Sequence, residues 1–478
     1  MSTGKNTAYN VGYRVFSVLL PLVTAPYLSR TVGTHGVGLY SYAWNISYFA
    51  CLAAMLGLEN YGTRAIAAVR DDRGALDRTF SAIWRMQRAV ALAVLALWLG
   101  YILFIAGEEK DIAVPLTLMS VSCLFNLDWA LMGLDSFRPI ALRNTAVKLI
   151  AAASVFILIR SEDDLWIYGF AWSLATCVGN LTAALSLRGK VTLVRVSRAE
   201  ALRHLGPCSL LFLSVLATSV YRVMDKVMVG AIAGKDENGL YENAEKIVYC
   251  LSGFISAVGT VMLPKISNLW RKGETARIRR HLDATMQGIM LMTGAMAFGL
   301  AAVADRFSVL FYGEAFAGSG PLMIPLGFSL MFIGFANVIR TQWILPQERD
   351  RIVVRSVCSG AVINVAANAL LIPGMGAMGA VIGTLLAEFT VPFVQWLHLR
   401  RELPYGDLLL HALAASACGA VMFTAVRLAG LFLPATWPGL AGQVAVGLLA
   451  EGALCLPLLR LTGSPLLRVL RPRHPSSN

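Results

Sequence analysis

With 478 residues, 57% of them hydrophobic and 14% charged, and with the apolar residues gathered in repeated blocks of about twenty, the chain falls outside the soluble globular class and reads as a polytopic membrane protein. A formal net charge of +13 would point to nucleic acid in a soluble protein. Here the basic residues sit in short connections between the blocks, so membrane topology accounts for them and no nucleic-acid partner is expected.

In chain order, hydropathy predicts an all-α integral membrane protein with spanning helices at 7–30, 37–58, 88–106, 112–133, 143–160, 165–187, 208–233, 240–263, 284–304, 319–345, 352–373, 376–398, 408–433 and 437–460, fourteen in all. The first block, Thr7 to Ser29, is too long for a signal peptide and lacks a small-residue cleavage site, so it is expected to stay as a spanning helix. Connections then alternate in charge. One side carries Arg64 to Arg88, then Arg138 and Arg143, Arg188 to Arg203, Lys265 to Arg280, Arg349 to Arg355, Arg400 and Arg401, and Arg468 to Arg473. The other side carries Glu108 to Asp111, Glu162 to Asp164, Lys235 to Glu237, Pro373 to Gly376, and Pro434 to Pro438. By the positive-inside rule both termini are expected in the cytoplasm. The cytoplasmic stretches 74–88, 188–207 and 264–283 are long enough for interfacial helices. All eight cysteines lie in apolar blocks without a CxxC pair and are expected to be packing residues.

An internal repeat shows at an offset of 201 residues. Val32, Gly33, Gly38, Leu39, Tyr40 and Ile46 align with Ala233, Gly234, Gly239, Leu240, Tyr241 and Ile247, and Arg64 falls on Lys265. Both sets lie where the first two helices of each half join. The expected organisation is therefore two pseudo-symmetric six-helix lobes, 1–200 and 201–402, with substrate between them, followed by helices thirteen and fourteen and a cytoplasmic tail in 403–478.

Within the blocks, charges stand where lipid would be. Arg222, Asp225 and Lys226 are three and four residues apart and share a helical face that Ser214 and Thr218 extend; Glu242, Glu245, Lys246 and Tyr249 do the same on the next helix. Each charge near the centre of a spanning helix costs about 3 kcal/mol on an insertion scale, so such a face must be turned to other helices or to a water-filled cavity. Arg14 and Arg340 are further cations near helix ends, where the alternative is snorkelling to the cytoplasmic interface. For Arg222 the alternative is a structural ion pair with Asp225. Asp225 and Glu388 are the acids placed to exchange charge with an ion gradient, whereas Glu451 pairs with Arg427 in the simplest reading. Asn45, Asn364, Asn368, Glu242, Glu245 and Lys246 complete the set expected to line a cavity, with Lys246 neutralised by the two glutamates. Tyr40, Tyr42, Trp44 and Tyr48 cluster in the second helix, where packing is favoured over sugar stacking. Gly379 and Gly383 read as a close helix contact.

Motifs for nucleotide or metal chemistry are absent: there is no phosphate loop, no His-Glu-x-x-His and no nucleophile elbow, so neither an enzyme nor a cofactor is expected. The glycine-rich run Val32 to Gly38 joins two membrane helices and reads as a tight turn. What the chain does carry is Pro21-Leu-Val-Thr-Ala-Pro-Tyr-Leu-Ser-Arg-Thr-Val-Gly33, Gly36-Val-Gly-Leu-Tyr-Ser-Tyr42, Tyr61-Gly-Thr-Arg-Ala-Ile66, Asp128-Trp129 with Gly133, Arg143 and Lys148, and Asp225-Lys-Val-Met-Val-Gly230. Further along stand Gly239-Leu-Tyr-Glu-Asn-Ala-Glu-Lys-Ile247, Gln342-Trp-Ile-Leu-Pro346, and Asn364, Asn368, Pro373, Gly379 and Glu388. Over roughly the first 400 residues this order and spacing resembles the polysaccharide transporter family, the Wzx-type flippases of O-antigen and exopolysaccharide units, within the multidrug/oligosaccharidyl-lipid/polysaccharide exporter superfamily.

The resemblance implies two six-helix bundles around a cavity that opens alternately to each side, in the bacterial inner membrane. It implies as cargo an oligosaccharide on undecaprenyl pyrophosphate, moved to the outer leaflet for a polysaccharide polymerase. A pyrophosphate needs cations in a partly dry site, which suits Arg222 and Lys226, then Arg14 and Arg340. Asp225 and Glu388 would couple transport to protons or sodium ions. Two readings compete. A drug or small-solute antiporter of related architecture would want an acidic or aromatic cavity rather than Arg222 and Lys226, and a membrane polymerase or glycosyltransferase would want a large external catalytic loop, longer than any here.

Overall fold

In hydrocarbon no water is present to satisfy backbone N–H and C=O groups, so apolar blocks of this length have to close their hydrogen bonds within themselves as helices. The computed structural model describes residues 3–136 and 138–461; the side chains of residues 3–19, Pro21, Arg138, Ser214 and Leu461 lie outside the described residues, and Arg14 is among them. The helices are α1 (Thr3–Met55), α2 (Leu58–Val69), α3 (Arg73–Phe104), α4 (Lys110–Ser122), α5 (Asp128–Gly133), α6 (Arg138–Leu158), α7 (Leu165–Leu185), α8 (Arg198–Leu202) and α9 (Leu205–Ile232). They continue with α10 (Lys235–Arg271), α11 (Thr275–Tyr312), α12 (Ser319–Ile339), α13 (Asp350–Met375), α14 (Ala377–Leu399), α15 (Tyr405–Phe432) and α16 (Trp437–Leu461). No strand occurs among the described residues. Nine of these helices are long and apolar enough to cross a membrane, ten if the bent pair Arg198–Leu213 and Val215–Ile232 is one span. The protein is therefore a multi-pass membrane protein.

The chain divides into two compact units, Met1–Gly239 and Leu240–Asn478. In the first, α7 packs on α4 and α6, α2 on α5, and α1 on α3, α4, α6 and α9. Its buried core gathers Leu58, Ile66, Phe80, Ile83, Trp129 and Leu131. In the second, α11 packs on α12 and α15, and α13 on α14. There Ile278, Met286, Ile289, Ile339, Trp343 and Leu399 form the core.

One expected span is broken. Hydropathy makes 112–133 a single helix, but α4 stops at Ser122 and α5 starts at Asp128. The carbonyls freed by the break are answered from α3. The buried Gln87 donates from Nε2 to the Cys123 carbonyl at 2.7 Å and to the Asn126 carbonyl at 2.9 Å, and accepts from the Trp129 indole at 2.9 Å. Irregular backbone at membrane depth is tolerable only with such partners.

The stretch 188–207 also departs from expectation. Instead of an interfacial helix it gives an extended run, 191–197, and the short α8. The run is clipped along one face of α3 by side chains four residues apart. Arg73 donates to the Lys190 carbonyl at 2.6 Å, Asp77 accepts from the Thr192 amide at 2.7 Å, Ser81 accepts from the Val194 amide at 3.0 Å, and Arg85 donates to the Val196 carbonyl. Ser197 and Glu200 then close a capping box on α8. The Glu200 carboxylate is held down to about 2, first by the Ser197 backbone N–H and then by Arg78. The stretches 74–88 and 264–283 are likewise not separate surface helices. The first belongs to α3, and the second is the ends of α10 and α11 about the turn at Lys272–Glu274.

The 201-residue repeat reappears as a reciprocal contact. Gly33 interrupts α1 with φ 69°, and its counterpart Gly234 turns the chain between α9 and α10 with φ 100°. A Cβ on Gly38 would lie 1.7 Å from the Lys235 carbonyl oxygen, and one on Gly239 would lie 2.0 Å from that of Thr34. Since Lys235 is Thr34 shifted by 201, the two approaches are the same contact made twice, and each needs a residue without a side chain.

Two stability predictions follow from these backbone contacts. Replacing Gln87 with leucine strands two carbonyls and an indole N–H in an apolar interior, a loss of about 3 kcal/mol that a lowered unfolding midpoint in detergent would register. Gly38→Ala and Gly239→Ala should each destabilise by about 1–3 kcal/mol in the same assay. Gly100→Ala, where a Cβ meets nothing within 4 Å, should not.

Candidate functional site

Polar side chains cluster on helices that are otherwise apolar, and the two units present them separately. In the first unit α9 carries Arg222 exposed, Lys226 half-buried and Asp225 only 4% exposed. All three are engaged in polar or electrostatic interactions. Thr218, one turn before Arg222, is exposed on the same side, while Ser219 is buried and shares a 3.1 Å hydrogen bond with the Tyr48 hydroxyl of α1. On α1 the buried Asn45 donates to Ser41 Oγ at 3.2 Å. Tyr40 and Trp44 pack against Tyr168 and Trp172 of α7, with ring centroids 4.7 and 5.2 Å apart. Lys235 Nζ lies 3.2 Å from the centroid of the Tyr42 ring.

The second unit presents a different set. On α10, Lys246 Nζ is 3.4 Å from Glu242 one turn away, and it donates to Asn243 Oδ1 at 3.4 Å. The buried Tyr241 hydroxyl meets Thr384 of α14 at 3.0 Å, and Glu388 follows Thr384 by one turn, half-buried. On α13, Asn368 Nδ2 donates to Asn364 Oδ1 at 3.3 Å; both residues are buried. Gly383 lies so close that a Cβ there would stand 2.0 Å from Asn368 Oδ1, and Gly379 lies against the backbone of Leu371 and Ile372. The paired asparagines therefore sit in a tight α13–α14 contact.

Arg340 begins a π-helical turn, Arg340–Ile344, at the end of α12. Its Nε is buried and finds no acceptor among the described residues. Widened turns of this kind are frequent at functional sites, and a buried N–H of a charged group left without an acceptor is costly. Past the turn, Arg349 donates to both oxygens of Glu402 at 2.8 Å and the Trp343 indole donates to one of them at 3.1 Å. Burial alone would push the Glu402 carboxyl up, but these donors and the Arg349 charge hold it below the usual carboxylate range.

Three arrangements have no counterpart in the sequence reading. Arg143 forms a bidentate pair with Asp128 at 2.6 and 2.7 Å and also donates to Asn180 and Asn144. With those partners it fastens α5, α6 and α7 together as a structural ion pair. Asp236, Glu108 and Glu162, from three different turns, surround His35 at 3.4, 3.7 and 3.9 Å. Glu451 does not pair with Arg427, because Arg427 is taken by Asp305 at 3.1 Å, and Glu451 instead accepts from the Cys455 thiol at 3.2 Å. Wide sequence separation hid the acids around His35 and the pairing of Arg427 with Asp305.

Long apolar helices that carry ionised side chains partway along their length are the mark of a membrane transporter rather than of a structural bundle. The chain belongs to the polysaccharide biosynthesis protein family, whose profile matches residues 3–270, and the profile of the lipid II flippase MurJ matches residues 209–449. A Shigella dysenteriae protein named "Putative O-antigen transporter" is 21% identical over 78% of this chain and 94% of its own length. A protein of the same name from Escherichia coli K12 is 24% identical over 56% of this chain and 66% of its own. In structure the chain is similar to a lipid II flippase MurJ in its inward closed conformation, with a TM-score of 0.76 at 16% identity over 95% of this chain and 99% of the other. It is similar to an inward-facing multidrug MATE transporter of the MOP superfamily with a TM-score of 0.61 at 13% identity, over 84% and 98%. At these identities the likenesses establish the fold.

Proposed function

We propose that the protein is a flippase that carries undecaprenyl-pyrophosphate-linked oligosaccharide repeat units from the cytoplasmic to the outer leaflet of a bacterial inner membrane, driven by an ion gradient. The observation that carries this reading is the exposed Arg222, with Lys226 beside it, on an otherwise apolar helix. Guanidinium and ammonium groups in a partly dry chamber suit a pyrophosphate, for which they supply several donors against little competing solvent. Membership in the polysaccharide biosynthesis family and the O-antigen transporters among its relatives support the same cargo class. Arg340, whose buried Nε lacks an acceptor among the described residues, is a further candidate for the anion, and Arg14 is another.

In this reading fourteen spans leave both termini in the cytoplasm, residues 1–200 and 201–402 form the two lobes, and 403–478 are appended to them. Asp225 and Glu388 exchange protons or sodium ions as the protein alternates its access. Asn45, Asn364, Asn368, Glu242, Glu245 and Lys246 line the aqueous path. The protein performs no covalent chemistry and hands its cargo to a polysaccharide polymerase. The multidrug antiporter reading shares the fold of the MATE relative. It is disfavoured by Arg222 and Lys226, which repel the organic cations that such an exporter would take.

Replacing Arg222 with alanine should reduce repeat-unit export at least about thirtyfold, since removing one partner from a desolvated charge pair costs 2 kcal/mol or more. Surface polysaccharide in a flippase-deficient strain measures this, with membrane levels of the variant checked in parallel; full export would remove Arg222 from the site. Glu388→Gln should leave binding intact and abolish the dependence of vesicle transport on an imposed proton or sodium gradient. An unchanged gradient response would take Glu388 out of the coupling role.

A further inference from the structure

In the second unit, an open groove of about 230 Å³ runs between α10 and α11. Its wall is apolar, built from Val258 and Met262 on α10 and from Ile289 and Met292 on α11, and its polar end is Lys265 and His281. The two helices are antiparallel about the turn at Lys272–Glu274, so Lys265 and His281 lie near that turn and Val258 and Met292 farthest from it. At 1.5 Å per residue the groove extends about 10 Å along α10 and about 16 Å along α11 from its charged end.

Neither Lys265 nor His281 has a hydrogen-bond or ion-pair partner among the described residues. The charges of Lys265, Arg277 and Arg280 all bear on the His281 imidazole, and of these only Arg277 is compensated, by Glu274 at 2.5 Å. The nearby Asp283 is taken by His411 at 2.7 Å. α11 is 38 residues long, about 57 Å, against a hydrocarbon core of about 30 Å, so its basic first turns extend past the apolar stretch into the headgroup region.

We propose that this groove binds one anionic phospholipid, its phosphate between Lys265 and His281 and one acyl chain along Val258, Met262, Ile289 and Met292. Basic pockets between membrane helices select anionic headgroups by charge, and a methionine-walled slot adapts to a flexible chain. The groove seats most of an ordinary acyl chain and only a small part of a polyprenyl chain of eleven isoprene units. Its lining includes none of the cations assigned to the cargo, Arg222, Lys226, Arg14 and Arg340.

Native mass spectrometry of the purified full chain with phosphatidylglycerol, phosphatidylcholine or a polyprenyl phosphate tests this. Wild type should retain phosphatidylglycerol in preference to phosphatidylcholine. Lys265→Gln with His281→Gln should erode that preference by roughly fivefold, the share of the one Lys265 charge removed, while the unfolding midpoint stays put. Gly288→Phe, which fills the slot, should cut retention of both phospholipids; if it fails to fold, the charge variant decides alone. Undiminished selectivity in the charge variant overturns the proposal, and so does displacement of phosphatidylglycerol by the polyprenyl phosphate at equal concentration.

Discussion

A charge inside an apolar helix is the constraint on which this protein is built. Leaving Arg222, Asp225 and Lys226 in contact with hydrocarbon would cost about 3 kcal/mol each, more than the apolar residues of one span return comfortably. The helix that bears them is stable only where water or opposite charge meets that face. Asp225 is buried at 4% exposure and Arg222 is exposed, so the same short stretch holds one charge inside protein and offers another outward. In the proposed flippase the buried acid is the one assigned to ion exchange and the exposed cation the one assigned to the anionic cargo.

Elsewhere the structure meets several polar demands by contact at very short range. Gln87 answers the carbonyls of a broken span, Arg143 saturates its guanidinium on Asp128, Asn180 and Asn144, and the Gly38 and Gly239 backbones approach carbonyl oxygens with no room for a methyl group. Arg340 is the contrast. Its Nε is buried without an acceptor among the described residues. A buried charged donor left unsatisfied is where a ligand has something to gain.

Much of the architecture is legible in the sequence because lipid imposes one period and one length on every span. Apolar blocks give α13 to α16 to within a few residues, while α10 and α11 run well past theirs at both ends, and the glycines at 33, 38, 234 and 239 mark both the turn and its repeat. What hydropathy misses is decided by long-range partners. A run of apolar residues at 112–133 gives no sign that Gln87 will hold it open at Cys123 and Asn126. The β-like stretch 191–197 looks like surface until Asp77 and Ser81 of α3 claim its amides. The candidate site is legible only in part. Residue type and helical spacing place Asn364 beside Asn368 and Lys246 beside Glu242, but they cannot tell that Asp305 takes Arg427 from Glu451, or that three separate turns bring acids to His35.

The central claim, that Arg222 faces water and holds a phosphorylated carrier, is tested most directly by chemical access to its position. With the eight native cysteines replaced and cysteine placed at 222, a membrane-impermeant thiol reagent should label the protein in sealed vesicles, and a polyprenyl-pyrophosphate-linked oligosaccharide should slow that labelling. Reaction only with lipid-soluble reagents, or a labelling rate that the carrier leaves unchanged, would contradict it.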